Sequence, residues 1–152
     1  MSFEEKIKSL HLILPSAPSA IAAYIPAKRI GNIIYTSGQL PLKDGKLLYT
    51  GKVGSDLDLQ EAKESMQQSC LNALAAVKAL TGNLDSILSI VKLTAFVASH
   101  ENFIEQHLVA NAASELLFSI FGEIGRHSRS AVGLTVLPLN APVELEMIVE
   151  VK

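Results

Sequence analysis

A β-branched run, Ile87 to Val97, lies between two long stretches of helical periodicity, and this arrangement constrains the chain more than any other feature. From Asp58 to Leu80, the apolar or small residues Ala62, Met66, Ser69, Cys70, Ala73, Leu74, Val77 and Leu80 recur at steps of three and four. That period collects side chains on one face of an α-helix. Asp58 and Glu61 have capping-box spacing at its start, and Gly82 is placed to end it. Glu101 to Phe121 repeats the pattern through Phe103, Leu108, Ala112, Leu116, Leu117 and Phe121, with Gly122 or Gly125 as the stop. Ile87–Val97 alternates only partly, as a central strand covered on both faces does.

Strand-like runs flank this block. Ala22–Ile25 and Asn32–Ser37, separated by a break at Lys28-Arg29 and a turn near Gly31, predict a first hairpin. Lys43–Lys46 reads as a turn, and Tyr49–Gly54 as a looser, glycine-punctuated stretch. Arg129–Pro138 and Val143–Val151, turning around Leu139–Pro142, predict a terminal hairpin. At the other end, Phe3–Leu10 has helical spacing with Ser2 as N-cap, and Pro15 and Pro18 stop it, which gives an N-terminal helical extension of about residues 1–14. The order hairpin, helix, strand, helix, hairpin predicts one α+β domain over residues 1–152, with two long helices on one face of a mixed sheet. The opposite face needs a cover, and another copy of the same sheet is the simplest one.

Composition narrows the partners. Of 152 residues, 49% are hydrophobic and 18% charged, which favours surface buried between subunits. The net charge of −2, with no Lys/Arg cluster, argues against nucleic acid or an anionic membrane as the main partner. The first residues lack the basic-then-apolar layout of a signal peptide, no apolar run approaches ~18 residues, and Cys70 has no second thiol to pair with. A cytoplasmic protein is the expectation. His11, His100, His107 and His127 lack ligand spacing, so no metal site is expected, and Cys70 reads as a small buried hydrophobe rather than a nucleophile.

Two charges stand out in the apolar C-terminal segment. Arg129 offers a planar fork of donors that suits a carboxylate, and Glu144 offers an acceptor able to orient water or move a proton. Against this, an arginine is as often half of a surface ion pair. A terminal hairpin would set Arg129 opposite Glu150 and leave Glu144 near the turn, far from Arg129 within one chain. Either the connection is not a hairpin or the pocket forms between subunits. Glu144, Glu146 and Glu150 share one face by parity, and the last two read as solvated. Ser37 beside Gly38 reads first as a turn residue, Tyr24 as a half-buried strand aromatic, and Asn111 as a polar contact from a helix to a neighbouring loop. Arg126 and His127 either add positive potential beside Arg129 or face solvent, and solvent is the reading for His127.

Taken together, Tyr35-Thr36-Ser37-Gly38-Gln39-Leu40-Pro41, Arg129-Ser130-Ala131-Val132, Leu137-Pro138 and Val143-Glu144-Leu145-Glu146 resemble the signature segments of the RidA (YjgF-type) reactive-intermediate deaminases, from about Pro18 to the C-terminus. The blocks occur together and in order. The resemblance implies a chorismate-mutase-like fold, a homotrimer with a barrel of sheets inside, and ligand pockets in the clefts between subunits. It further implies hydrolysis of 2-imino or 2-enamino acids to 2-oxo acids and ammonia without a cofactor. Arg129 then resembles the arginine that binds the substrate carboxylate, and Glu144 the carboxylate that positions water. Tyr24, Ser37, Gly38 and Asn111 look like pocket-lining positions. Ala131 departs from the cysteine found in many members, and Gly122–Ser128 differs from the usual Pro-Ala-Arg-Ser form, so a divergent subgroup is implied. Two other readings stand beside this one: a non-catalytic regulatory trimer that binds small carboxylates, and an endoribonuclease or translation inhibitor.

Overall fold

The structure is a computed structural model that describes residues 1–20 and 22–152. Helix α1 (Phe3–Ser9) is capped as expected: Ser2 Oγ accepts from the Glu5 amide, and the Glu5 carboxylate accepts from the Ser2 amide at 2.7 Å. It is tied down at its start. The Phe3 amide donates to Asp85, Glu4 accepts from the Leu84 amide, and Ile7 is fully buried. Strands β1 (Ala27–Ile30) and β2 (Ile33–Thr36) follow, then a small separate hairpin of β3 (Leu42–Lys43) and β4 (Lys46–Leu47). Helix α2 (Leu59–Thr81) begins at the reciprocal Asp58/Glu61 box and ends at Gly82, whose φ of 82° is natural for glycine. Strand β5 (Ile87–Ala98), helix α3 (Gln106–Phe121), strand β6 (Ser128–Leu134) and strand β7 (Val143–Val151) complete the chain.

The main sheet runs β1-β2-β7-β5-β6, with β5 and β6 parallel and the other pairs antiparallel. A parallel pair needs a crossover, and α3 provides it. Side chains alternate between the two faces of the sheet. Leu93, Ala95 and Val97 of β5, together with Val143, Leu145, Met147, Val149 and Val151 of β7, are fully buried and form one core with α2 and α3. Thr94 and Phe96, level with Glu146 and Glu144, take the other face. No described helix covers that face, and Tyr35 and Val132 on it are 46% and 39% exposed.

The expected α+β class, with two long helices against one face of a mixed sheet, is what the chain forms. Three local expectations are corrected. The terminal hairpin does not exist, because β5 lies between β6 and β7. The stretch 135–142 arches over the end of β5: the Ser99 amide donates to Leu134 O on one side and the Ala98 amide to Pro142 O on the other, each at 2.9 Å. Leu139 and Asn140 both adopt φ of 59° there, and Pro138 and Pro142 have no amide proton to add to a ladder. Strand β1 starts at Ala27, so Lys28 and Arg29 lie inside it. An edge strand tolerates such charges, and Arg29 uses its guanidinium on Gly31 O and Lys152 O. Finally, α3 begins at Gln106, not near Glu101. Phe103 reaches the core from a turn, packed against Gly54, and this mimics a helical position in the sequence pattern.

Helix α3 together with the turn after it overturns the expectation that no apolar run is long enough to span a bilayer: Gln106–Gly125 qualifies by length and composition. Its apolar side, through Val109, Ala113, Leu117 and Ile120, belongs to the core, as in a globular domain.

Candidate functional site

Arg129 on β6 is level with Leu93, so its side chain points to the helix-covered face and passes beneath α3. There its guanidinium is held on one side. Nη1 donates to Asn111 Oδ1 at 2.9 Å and to Ser114 Oγ at 3.1 Å, and Nη2 reaches His107 O at 3.5 Å. Nε makes no hydrogen bond among the described residues, so the edge formed by Nε and the second Nη2 proton is left for something else. Asn111 and Ser114 are one helical turn apart and His107 one turn earlier, a polar stripe on α3 that meets the arginine. Ser114 Oγ lies 2.9 Å from His127 Nε2, and His127 Nδ1 lies 2.7 Å from Gly125 O. His127 is therefore partly buried and bonded at both nitrogens, against the expectation that it faces solvent. The sequence signal that could have found this was the 111, 114 spacing, two polar side chains on one side of an apolar helix, since His107 contributes only its backbone carbonyl.

A groove of about 540 Å³ opens beside this network, lined by Arg129, Ser114, Glu115, Phe118, Arg126 and His127. Arg126 lies over the Phe118 ring, 4.9 Å from its centroid, and pairs with Glu123 at 2.8 Å. Among the described residues, no three His, Cys, Asp or Glu side chains gather where they could hold a metal ion.

Glu144 lies elsewhere. It is level with Phe96, on the face that the helices leave open, so one chain carries Arg129 and Glu144 on opposite sides of its sheet. Burial, and secondarily the neighbouring Glu146, push the Glu144 carboxyl above its ordinary range. Its companion is the Ser37-Gly38-Gln39 segment. Gln39 and Leu145 exchange both backbone hydrogen bonds, at 2.7 and 3.0 Å, and this lays the segment along the start of β7. The Gly38 Cα rests against the Glu144 carboxylate so closely that a Cβ would collide with it, which is a reason for glycine here. Ser37 is a structural tie: its hydroxyl donates to Ile25 O at 2.6 Å and its amide to Pro26 O at 2.7 Å. That tie holds the loop bearing Tyr24, which is 60% exposed rather than half-buried in a strand. The sequence-predicted residues thus form two groups, Arg129 with Asn111, and Glu144 with Gly38, Ser37 and the Tyr24 loop. Cys70 belongs to neither, and burial pushes its thiol up to about 12.

Residues 4–151 match the family described as YjgF/chorismate mutase-like, a description that also carries an endoribonuclease label. The chain belongs to the YjgF family. Within it, the chain is 38% identical over 145 residues to protein TCP17 of Trypanosoma cruzi, covering 95% of this chain and 91% of that one. It is 32% identical to the 2-iminobutanoate/2-iminopropanoate deaminase of Escherichia coli, covering 88% and 91%. A solved YjgF-fold neighbour, the protein Atu1372 of Agrobacterium tumefaciens, superposes with a TM-score of 0.93 at 46% identity, over 99% of this chain and 92% of that one. These likenesses establish the RidA/YjgF family and its chorismate-mutase-like fold, and two relatives, at 30% and 32% identity, carry the deaminase name.

Proposed function

We propose that this YjgF-family chain hydrolyses 2-imino or 2-enamino acids to 2-oxo acids and ammonia, at a site completed when copies of the chain assemble as a homotrimer. The observation that carries the reading is the clamped Arg129 guanidinium, whose Nε edge makes no hydrogen bond through Nε to any described residue. That edge matches the two oxygens of a carboxylate. The name of the Escherichia coli relative supplies the reaction class. Assembly follows from the opposite faces: Arg129 of one copy and Glu144 of another can share a cleft if the uncovered sheet face packs against its neighbour.

In that cleft Arg129 holds the substrate carboxylate, with Asn111 beside it, while Tyr24, Ser37 and Gly38 line the wall near Glu144. A water oxygen attacks the carbon of the protonated imine while Glu144 takes one proton from the water, and the C=N electron pair moves to nitrogen to give a neutral carbinolamine. Glu144 then gives that proton to the amine, and the C–N bond breaks as the hydroxyl proton passes back to Glu144 and the carbonyl forms. The released ammonia takes up this proton and leaves as ammonium. A carboxylate with an upward-shifted pKa serves both directions better than an ordinary one near neutral pH. Positioning does most of the work, since the imine carbon needs no covalent catalyst. No cofactor enters, and the compartment proposed is the cytoplasm.

The test is release of 2-oxo acid from imines generated in situ by an amino-acid oxidase. The expected result is acceleration that Arg129→Ala abolishes. Hydrolysis unchanged in that variant rejects the role given to Arg129. Saturable binding of 2-oxo acids with no acceleration would instead make the protein a carboxylate-binding regulatory trimer.

A further inference from the structure

The bonds around Arg129 have a direction, and it runs to a residue outside the groups that would touch substrate. A guanidinium only donates, so Ser114 Oγ accepts from Arg129 Nη1 at 3.1 Å. A backbone carbonyl only accepts, so His127 Nδ1 carries a proton and donates it to Gly125 O at 2.7 Å. What remains is the 2.9 Å contact between Ser114 Oγ and His127 Nε2. If Nε2 also carried a proton, two cations would donate to one hydroxyl oxygen, and the serine proton would have no partner among these groups. With Nε2 bare, the serine proton completes the chain, and each group makes the bond its chemistry allows.

We infer that His127, held as the neutral tautomer with its proton on Nδ1, is a positioning residue that fixes Arg129 through Ser114. The inference rests on the functional reading above and deepens it. Ser114 alone could rotate its hydroxyl toward another acceptor. With His127 taking its proton, a lone pair of Oγ stays aimed at Nη1, and the guanidinium plane is set by Ser114 and Asn111 from one helix. The Nε edge then keeps one orientation toward an incoming carboxylate, which lowers the ordering cost of binding. The Gly125 carbonyl that anchors the ring comes from the turn between α3 and β6, where Gly125 packs against the Leu117 carbonyl with no space for a side chain. The segment that departs from the usual family form is therefore the one that carries this support.

Two measurements on the intact protein test the inference. The first is the tautomer. In protein labelled with ¹⁵N-histidine, with the His127 signals assigned by their loss in His127→Gln, the expected spectrum at neutral pH has Nδ1 protonated and Nε2 unprotonated. A proton on Nε2 overturns the relay whatever the enzymatic outcome. The second is kinetic. His127→Leu should raise KM for the imine about tenfold while kcat stays within about twofold, as expected when an orienting bond to a charged group is lost. His127→Gln, whose side-chain oxygen can take the place of Nε2 as acceptor, should restore KM. In a Ser114→Ala background, His127→Leu should add nothing. Independent, multiplying effects of the two substitutions, or a glutamine variant as impaired as the leucine variant, overturn the inference. Should His127→Leu melt with loss of fold, the glutamine variant and the tautomer still decide it. Arg129→Ala run alongside separates the two levels. If it hydrolyses imine like the parent protein, the functional reading fails, and the relay stands or falls on the tautomer.

Discussion

The two halves of the proposed site are built in different ways. Arg129 is held by side chains: Asn111 and Ser114 from α3, with His127 behind them, bond the guanidinium inside one chain. Glu144 is held by backbone proximity, lying against the Cα of Gly38 on a sheet face that the chain leaves bare. The first group is finished before any partner arrives, with three donor–acceptor bonds fixing the direction of a charge. The second keeps a partly buried carboxyl whose pKa burial raises above its ordinary range, and it depends on the absence of one methyl group. A substrate-binding cation benefits from rigid side-chain support, whereas a proton-transferring carboxylate benefits from partial desolvation. The two demands are met on opposite faces of one sheet.

Breaking the second half should cost most. Glu144→Gln keeps the shape and removes the base, and kcat should fall by about 10² to 10⁴ with little change in KM. Gly38→Ala attacks the same half through the backbone. We expect kcat to fall by about tenfold or more as the carboxylate is displaced, with partial recovery in Gly38→Ala combined with Glu144→Asp, whose shorter carboxyl leaves room. Recovery would tie the loss to collision rather than to general damage. The first half should respond in binding instead. Asn111→Leu should raise KM about tenfold, by the ~1.5 kcal/mol of a bond to a charged group, and leave kcat nearly unchanged.

The smallest effect is on stability. The folded-state pKa of Glu144 is raised, so in the window just above the ordinary carboxylate range the folded protein binds more protons than the unfolded chain. Stability should therefore fall as pH rises through that window. In Glu144→Gln this contribution should disappear. Urea midpoints of the two proteins between about pH 4 and 8 check the sign, which is reversed if the carboxyl is in fact stabilised as the anion.

Much of this was legible in sequence, and the losses share a cause. The N-cap at Ser2, the capping box at Asp58/Glu61, the stop at Gly82 and the strand at Ile87–Val97 are local signals, and all appear close to where the sequence put them. Strand order is not local. Nothing in Arg129–Pro138 or Val143–Val151 says that β5 inserts between them, because either run could pair with any apolar strand of matching length. That one change of neighbour moved Arg129 from opposite Glu150 to level with Leu93, and so assigned it to the face away from Glu144. The residues of the proposed site come from short blocks of sequence, but their faces are set by long-range register. His127 was misread for the same reason: its partner Ser114 is on the preceding helix, brought near by the turn at 122–125.

The central claim is that Arg129 and Glu144 act together only across a subunit boundary, and subunit mixing tests it most directly. Arg129→Ala and Glu144→Gln, each inactive alone, would be unfolded, combined in equal amounts and refolded. In a three-fold ring every mixed assembly holds one site with both native residues, so recovery of about a quarter of parental activity is expected. Mixtures that stay as inactive as either variant, although subunit exchange is verified by mass, would place both residues in one chain's site and contradict the account.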